Sequence, residues 1–455
     1  SLDFLPLKSY ANIIEGNALK LAWESIVPKQ ELNYIMGNPP FVGFKFASEI
    51  QKEDMKFVFA ETKPALLDYV CCWYKKAAEY IQGSKCEAAF VSTNSVSQGQ
   101  MAGDLWSLLL KKCPISINFA WQSFVWNSES SNTAHVHVVI IGFSAFVKPS
   151  KYLFADNTVR KVSNISPYLI EGTNLLILSR KTSICEVPEM VMGNQAMDGG
   201  NLIIEEKDYD EFVAKEPQAL PFIKRYMMGY EFINNKKRWC LWLADCSPSQ
   251  LRNMPHVMKR VKAVQEVRAA SKDAGARKKA ETPMLFREQR NPARFIAIPI
   301  VSSERRRYIP LGYLDSSVIA GNKLFIIPDA EIYHFGILTS NVHMAWMRTV
   351  AARLKSDYTY SKDIVYNNFP WPNPTEEQRK KIEQTAQAIL DARALYPDSS
   401  LADLYDELTM PTELRKAHMQ NDKAVMQAYG FSIKDTTEES CVAELMKRYQ
   451  QLTMI

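Results

Sequence analysis

Along the first 150 residues, short apolar runs alternate with longer stretches whose apolar positions recur at helical spacing. The runs at 33–36, 88–92, 116–119 and 136–143 predict strands, and 49–59, 65–81 and 99–111 predict helices between them. That alternation predicts an α/β sheet covered by helices. Residues 151–375 change character: strand-like runs at 295–301, 308–314 and 324–327 stand among scattered prolines with few long helical periods. This predicts a mixed α+β domain. From residue 376 the pattern turns helical, at 376–394, 401–408, 412–429 and 438–450, with Gly430 placed as a C-cap. Pro370, Trp371, Pro372 and Pro374 mark the boundary, giving three parts, 1–150, 151–375 and 376–455.

Composition sharpens this division. At 455 residues and 47% hydrophobic content, the chain can pack more than one core, and disorder is excluded. No apolar run approaches the roughly 20 residues of a membrane span, the longest (134–146) being broken by two histidines. The opening Ser-Leu-Asp-Phe has no basic and then apolar leader. Eight cysteines form no CxxC pair, which suits reduced, buried thiols and an expected cytoplasmic location.

Charge is uneven. Lys plus Arg against Asp plus Glu runs 13 to 13 over residues 1–150, 32 to 23 over 151–375, and 10 to 14 over 376–455. The net +5 thus comes from the middle part, densest at 252–279 with nine basic and two acidic residues. It continues through Arg287, Arg290 and Arg294 to Arg305, Arg306 and Arg307. A basic middle between neutral and acidic flanks is the footprint of a polyanion-binding module. A solvated helix face is the competing reading for 252–279.

The candidate chemistry lies where the first strand ends, at Asn38-Pro39-Pro40-Phe41. An exocyclic aryl amine is a poor nucleophile because its lone pair is delocalised into the ring. The Asn38 side-chain oxygen and the Pro39 carbonyl can accept its two N–H groups and draw the lone pair out of conjugation. Proline adds no competing backbone N–H and stiffens the turn, which is the use of Pro40. Phe41 can stack on the base that carries the amine. The alternative is a plain proline turn after a buried strand.

Other segments accompany this one in order: 14–19, Leu67-Asp68-Tyr69-Val70, 90–99, 134–143, 302–310 and 363–372. With the Asn-Pro-Pro-Phe they resemble the amino-methyltransferases of DNA, specifically those of large single-chain type IIL restriction–modification enzymes. The resemblance runs from about residue 13 to 372. It implies a Rossmann-like methyltransferase domain, S-adenosylmethionine as cofactor with no metal for methyl transfer, and double-stranded DNA as partner. It further implies a bacterial enzyme methylating the N6 amine of a flipped-out adenine. The Asn at the head of the motif favours adenine, because relatives that methylate cytosine N4 more often have Ser there.

The same resemblance assigns site residues. Glu15, Asn17 and Ala18 match the segment whose polar residue contacts the cofactor's adenine, although most relatives have Asp where this chain has Asn17; loop capping is an equal reading. Asp68 matches a cofactor-side position, against a plain helix N-terminal acid. Phe124 matches a second base-stacking aromatic, with Trp126 as substitute and a core ring as the bland alternative. For DNA, Glu304, Arg305, Arg306 and Arg307 lie between strand-like runs, where an extended chain would send Arg305 and Arg307 to one side. Lys278, Lys279, Arg287, Arg353 and Lys355 extend the basic set, with phosphate positioning the safer role.

Two decoys are set aside. His135 and His137 share a strand face without an evident third ligand. Asp198, Glu205 and Lys207 approximate a metal-dependent nuclease spacing but fall in the recognition region. Nowhere does the chain contain GxG, so the glycine-rich loop for the methionine part of the cofactor is expected before residue 1. The chain then reads as a C-terminal portion, whose upstream half completes the methyltransferase and carries any nuclease. Competing functions are a non-catalytic DNA-recognition module and, last, methylation of a protein glutamine amide.

Overall fold

The computed structural model describes residues 13–60, 67–126 and 136–453. The chain divides into two compact units, Ser1–Ile177 and Leu178–Ile455. In the first, six strands form one sheet in the order β1 (Tyr34–Gly37), β2 (Glu87–Thr93), β4 (Val136–Ser144), β3 (Ser116–Trp126), β5 (Lys151–Ala155) and β6 (Thr158–Val162). β1 runs parallel to β2 and β3 parallel to β5, while β4 lies antiparallel between β2 and β3. The carboxyl ends of β1, β2 and β3 therefore face the same edge, the edge at which α/β sheets place their sites.

Helices α1 (Glu49–Val58), α2 (Cys71–Tyr80) and α3 (Gly99–Lys112) fall close to the predicted spans. Ser48 and Gln51 cap α1 reciprocally. The predicted helix 65–81 opens only at Cys71, because Leu67–Val70 is used as a loop; residues 61–66 lie outside the described set. Tyr74 of α2 reaches into the sheet, stacked on Phe143 at 5.8 Å and edge-on to Phe90 at 5.4 Å. Cys71 and Cys72 are fully buried beside it as small apolar groups. β4 is central, so its residues are buried on both faces and read as a continuous apolar run. Gly142 is required there, because the Phe119 ring occupies the space where a Cβ would lie, 2.0 Å away.

In the second unit one four-stranded sheet joins Val318–Ala320, Ile223–Met227, Arg238–Leu241 and Ile203–Glu205. Another joins Gly312–Asp315, Arg294–Pro299, Leu324–Pro328 and Val191–Met192. The expected strand 308–314 begins only at Gly312, since Tyr308–Leu311 is buried coil whose Tyr308 hydroxyl is committed to Asp422. A 15-residue helix, Pro255–Ala269, occupies much of the basic run. Glu376–Ala394, Thr412–Tyr429 and Glu438–Thr453 form the predicted helical end, and Gly430 terminates the second of them at φ 76°.

The segment 363–372 has a structural use. The Asn367 amide donates to the Arg180 carbonyl at 2.8 Å, Asn368 to Leu178 at 3.0 Å, and the Tyr366 hydroxyl to Pro188 at 2.6 Å. It fastens the start of this unit to a short π-helix, Lys362–Tyr366.

Candidate active site and nucleic-acid interface

Asn38–Phe41 follows directly on β1, at the shared carboxyl edge, with Pro39 buried and Asn38 and Pro40 exposed. Phe41 is half-buried. Three bonds fix the turn after it. The Tyr69 amide donates to the Val42 carbonyl at 2.9 Å. The Phe44 amide donates to the Asp68 carboxylate at 3.3 Å. Ser95, in the turn that ends β2, donates its hydroxyl to the other Asp68 oxygen at 2.8 Å. Burial pushes the Asp68 carboxyl above its ordinary value, and those two donors oppose it. Asp68 thus braces the loop that follows β1 against the end of β2.

Next to Ser95, Asn94 donates to the Ser123 hydroxyl at 3.3 Å, which brings the β2 turn beside β3 one residue before Phe124. Between Trp121 and Phe124 the ladder with β4 slips, Gln122 and Ser123 together opposing Val139 alone. This bulge re-aims the end of the strand. Phe124 is half-buried and sits between Trp121 and Trp126, at ring separations of 6.0 and 6.4 Å. Trp121 and Trp126 are 37% and 40% exposed, so Phe124 belongs to an open aromatic group and not to the core. His137 is half-buried on β4; His135 lies outside the described residues.

Glu15 and Ala18 are exposed. Asn17 caps its own loop by accepting the Leu19 amide at 2.9 Å, and its Nδ2 donates to both oxygens of Asp54 at 3.0 Å. Asp54, on α1 and 1% exposed, also takes the Tyr69 hydroxyl at 2.7 Å and the Lys20 ammonium at 3.3 Å. Burial raises its carboxyl, but these donors outweigh it and hold it below the usual carboxylate range. Sequence reasoning missed Asp54, Asn94, Ser95 and Ser123. The available signal was an acid set beside Met55 on the helix face that is buried.

In the second unit the segment at Glu304–Arg307 corrects the expectation of an extended chain. It is a turn, closed by the Arg306 amide on the Ser303 carbonyl at 3.1 Å, so strand alternation does not decide which arginines share a side. It leaves Val301–Ser302, which pairs with Asp357–Thr359 and through it with Ala352–Leu354. Residues distant in sequence therefore meet: Arg353 pairs with Glu304 at 3.5 Å and lies over the Tyr358 ring at 4.0 Å. Lys355 is exposed at the hairpin tip at φ 58°. Arg305 and Arg307 are exposed, whereas Arg306 is half-buried beside a cavity of about 540 Å³. Burial lowers its guanidinium pKa, with Asp357 and Asp406 opposing.

The basic run 252–279 is partly structural. Arg268, 1% exposed, donates to the carbonyls of Met197, Lys279, Thr282, Ala196 and Leu285 at 2.7–3.0 Å. Arg260 bonds the Asn201 and Ile203 carbonyls. Lys278 is exposed at the end of a short helix, Lys279 is half-buried, and Arg287 is held by Gln195 and Glu288. The nuclease-like trio is not assembled: Glu205 pairs with Arg238 at 2.7 Å and Asp198 accepts the Leu202 amide at 2.6 Å. Among the described residues no three His, Cys, Asp or Glu side chains converge as metal ligands.

Comparison with known proteins matches this layout. The family described as MmeI, DNA-methyltransferase domain, matches residues 1–155; MmeI, target recognition domain, matches 171–373; and MmeI, C-terminal domain, matches 374–455. The chain is 40% identical over 454 residues to DNA methyltransferase A of Bacillus subtilis (strain 168), covering 99% of this chain and 51% of that protein. It therefore spans about half the length of that curated relative. A solved structure of the type IIL restriction-modification enzyme MmeI in complex with DNA is similar at 43% identity and a TM-score of 0.91, over 99% of this chain and 61% of that one. The chain belongs to the MmeI family, with that family's methyltransferase, target-recognition and C-terminal domains in order.

Proposed function

We propose that the polypeptide containing this chain methylates the N6 amine of an adenine flipped out of double-stranded DNA, within a bacterial restriction–modification system in the cytoplasm. The observation that carries this reading is the placement of Asn38–Phe41 at the carboxyl end of β1, braced through Asp68 and Ser95. The target amine is buried by pairing in the duplex, so the base must leave the stack. The Asn38 side-chain oxygen and the Pro39 carbonyl accept its two N–H groups, and the nitrogen lone pair is freed for attack. Pro40 holds the turn, and Phe41 and Phe124 stack on the two faces of the ring. No general base is required, since the proton becomes acidic only once the new C–N bond has formed.

S-Adenosylmethionine supplies an electrophilic methyl group when bound. The exposed Glu15–Ala18 segment fits one side of it: the Glu15 carboxylate has no hydrogen-bond partner among the described residues, and the second lone pair of Asn17 Oδ1 remains beside the Leu19 amide. β1 pairs with β2 alone among the described residues, and its Tyr34 and Met36 are 64% and 81% exposed. This supports the reading that further strands from an upstream half complete the pocket.

Target choice falls to the recognition domain. Arg305, Arg307 and Lys355 are exposed around one small sheet and suit phosphate or base-edge contact, while Glu304 is shared with Arg353. Lys278, Lys279 and Arg287 add non-specific attraction for the duplex.

The test is a map of modified bases in genomic DNA from cells expressing the full-length gene, beside an Asn38→Ala control. N6-methyladenine at one recurrent sequence, lost in the control, is expected. N4-methylcytosine would overturn the choice of substrate, and no modified base would favour a recognition module without catalysis.

A further inference from the structure

Two loops that the proposed reaction must bring into register are fastened to one buried carboxylate. On the cofactor side, the Asn17 amide donates to both Asp54 oxygens at 3.0 Å, and Lys20 approaches the same group at 3.3 Å. On the amine side, Tyr69 gives its hydroxyl to Asp54 at 2.7 Å and its backbone N–H to the Val42 carbonyl at 2.9 Å, one residue past Phe41. Asp68, its neighbour, takes the Phe44 amide and the Ser95 hydroxyl. Asp54 itself sits on α1, which the Asn-Pro-Pro-Phe loop leads into, and is 1% exposed.

Asn17 and Val42 are 25 residues apart in sequence, yet only two side chains, Asp54 and Tyr69, stand between their hydrogen bonds. Glu15, Gly16, Asn17 and Ala18 are exposed, so a ligand seated on them removes freedom that packing has not already removed. A second loop tied to the same rigid anchor is then ordered in advance and loses less on binding its own ligand. Such coupling is reciprocal by linkage.

We propose that Asp54 and Tyr69 are positioning residues that couple the two sites, so that cofactor on the Glu15–Ala18 segment tightens capture of the target base at Asn38–Phe41, and the base tightens the cofactor by the same factor. This rests on the methyltransferase reading above. Neither side chain touches the reacting atoms in this scheme. Their effect passes through Asn17 on one side and Val42 on the other.

The experiment uses the intact polypeptide and a fluorescently end-labelled duplex that keeps the target adenine. DNA affinity is measured with and without saturating sinefungin, a cofactor analogue that cannot donate a methyl, and sinefungin affinity with and without DNA. Wild-type protein is expected to show one coupling factor in both directions, within the about 5- to 150-fold range common for linked sites. Tyr69→Phe keeps the ring, which packs edge-on to Trp73 at 5.2 Å, and removes only the bond to Asp54. It is expected to bring the factor toward 1 while each ligand alone binds within about three-fold of wild type. Asp54→Asn is expected to act in the same direction. A merely structural role would weaken both ligands and leave their ratio alone.

An unchanged factor in Tyr69→Phe overturns the proposal even if Asp54→Asn fails to fold. So does wild-type protein that binds both ligands and methylates DNA without any coupling. Wild-type protein that neither binds sinefungin nor methylates DNA overturns the methyltransferase reading itself.

Discussion

Asp422 offers a direct test of how the helical end holds the basic turn. It lies on Thr412–Tyr429, is 5% exposed, and accepts the Tyr308 hydroxyl at 2.6 Å and the Asn341 amide at 2.8 Å. Tyr308 follows Arg307 directly, so this carboxyl anchors the turn that carries the proposed DNA contacts. Burial pushes it up from 3.8 to about 6, against the pull of Tyr308, Asn341, Arg307 and Arg348. His418, stacked on Tyr308 at 4.1 Å, is held well below its ordinary value, chiefly by burial.

A raised acid favours the protonated fold. Between the unfolded and folded values the folded chain binds more protons, so stability falls as pH rises through that window. At about 1.4 kcal/mol per pH unit, the shift from 3.8 to about 6 amounts to about 3 kcal/mol, fully lost above the folded value. Asp422→Asn cannot ionise; its oxygen still accepts the Asn341 amide, and its NH2 can donate to the tyrosine oxygen. Unfolding of both proteins by urea, followed from about pH 4 to about pH 7.5, should show wild type losing about 2.5 kcal/mol relative to the variant as pH rises, the rest having been lost already below that range. A wild-type-minus-variant difference that is flat across that range would refute the burial argument.

Loss of either stacking ring should slow methylation by about 5- to 150-fold in kcat/KM, equivalent to about 1–3 kcal/mol per stacked base. Steady-state methyl incorporation by Phe41→Ala, Phe124→Ala and Trp126→Ala checks this, and a larger loss at Trp126 would move the second stacking role there. Lys278→Ala should weaken DNA binding equally for all sequences and reduce the salt slope by about 1 if the residue meets a phosphate, as read by titrations at several salt concentrations. Arg268→Met should leave that slope alone and cost at least about 3 kcal/mol of stability, because five backbone carbonyls lose a charged donor. Thermal unfolding separates the two substitutions.

The elements that sequence showed most clearly are those whose burial follows one periodicity. β4 reads as a strand because it is central and apolar on both faces, and Glu376–Ala394 reads as a helix because its buried positions recur at helical spacing. Pro255–Ala269 entered only as the competing reading of a basic run, a solvated helix face, because its buried stripe, Val257, Val261 and Val264, ends in the buried Arg268 and charge dominates the rest. The β5–β6 hairpin escaped for a related reason: Lys151 is 4% exposed at a strand start, and Thr158–Lys161 is exposed. At the candidate site, Asn38–Phe41 was legible as the turn after β1, since two prolines end an apolar run. The Asp68 brace was not, since its donors Phe44 and Ser95 lie 24 and 27 residues away and only folding brings them together. The same is true of Glu304 and Arg353, which lie 49 residues apart in sequence.

The measurement that reaches the central claim most directly is nucleoside mass spectrometry of duplex DNA incubated with the intact, purified polypeptide and isotopically labelled S-adenosylmethionine, beside Asn38→Ala. The expected result is labelled N6-methyladenine with wild type and none with Asn38→Ala, while both proteins bind the duplex with similar affinity. Label retained at full rate in Asn38→Ala would contradict the role given to that side chain. Absence of labelled base with a folded, DNA-binding wild type would contradict the enzyme.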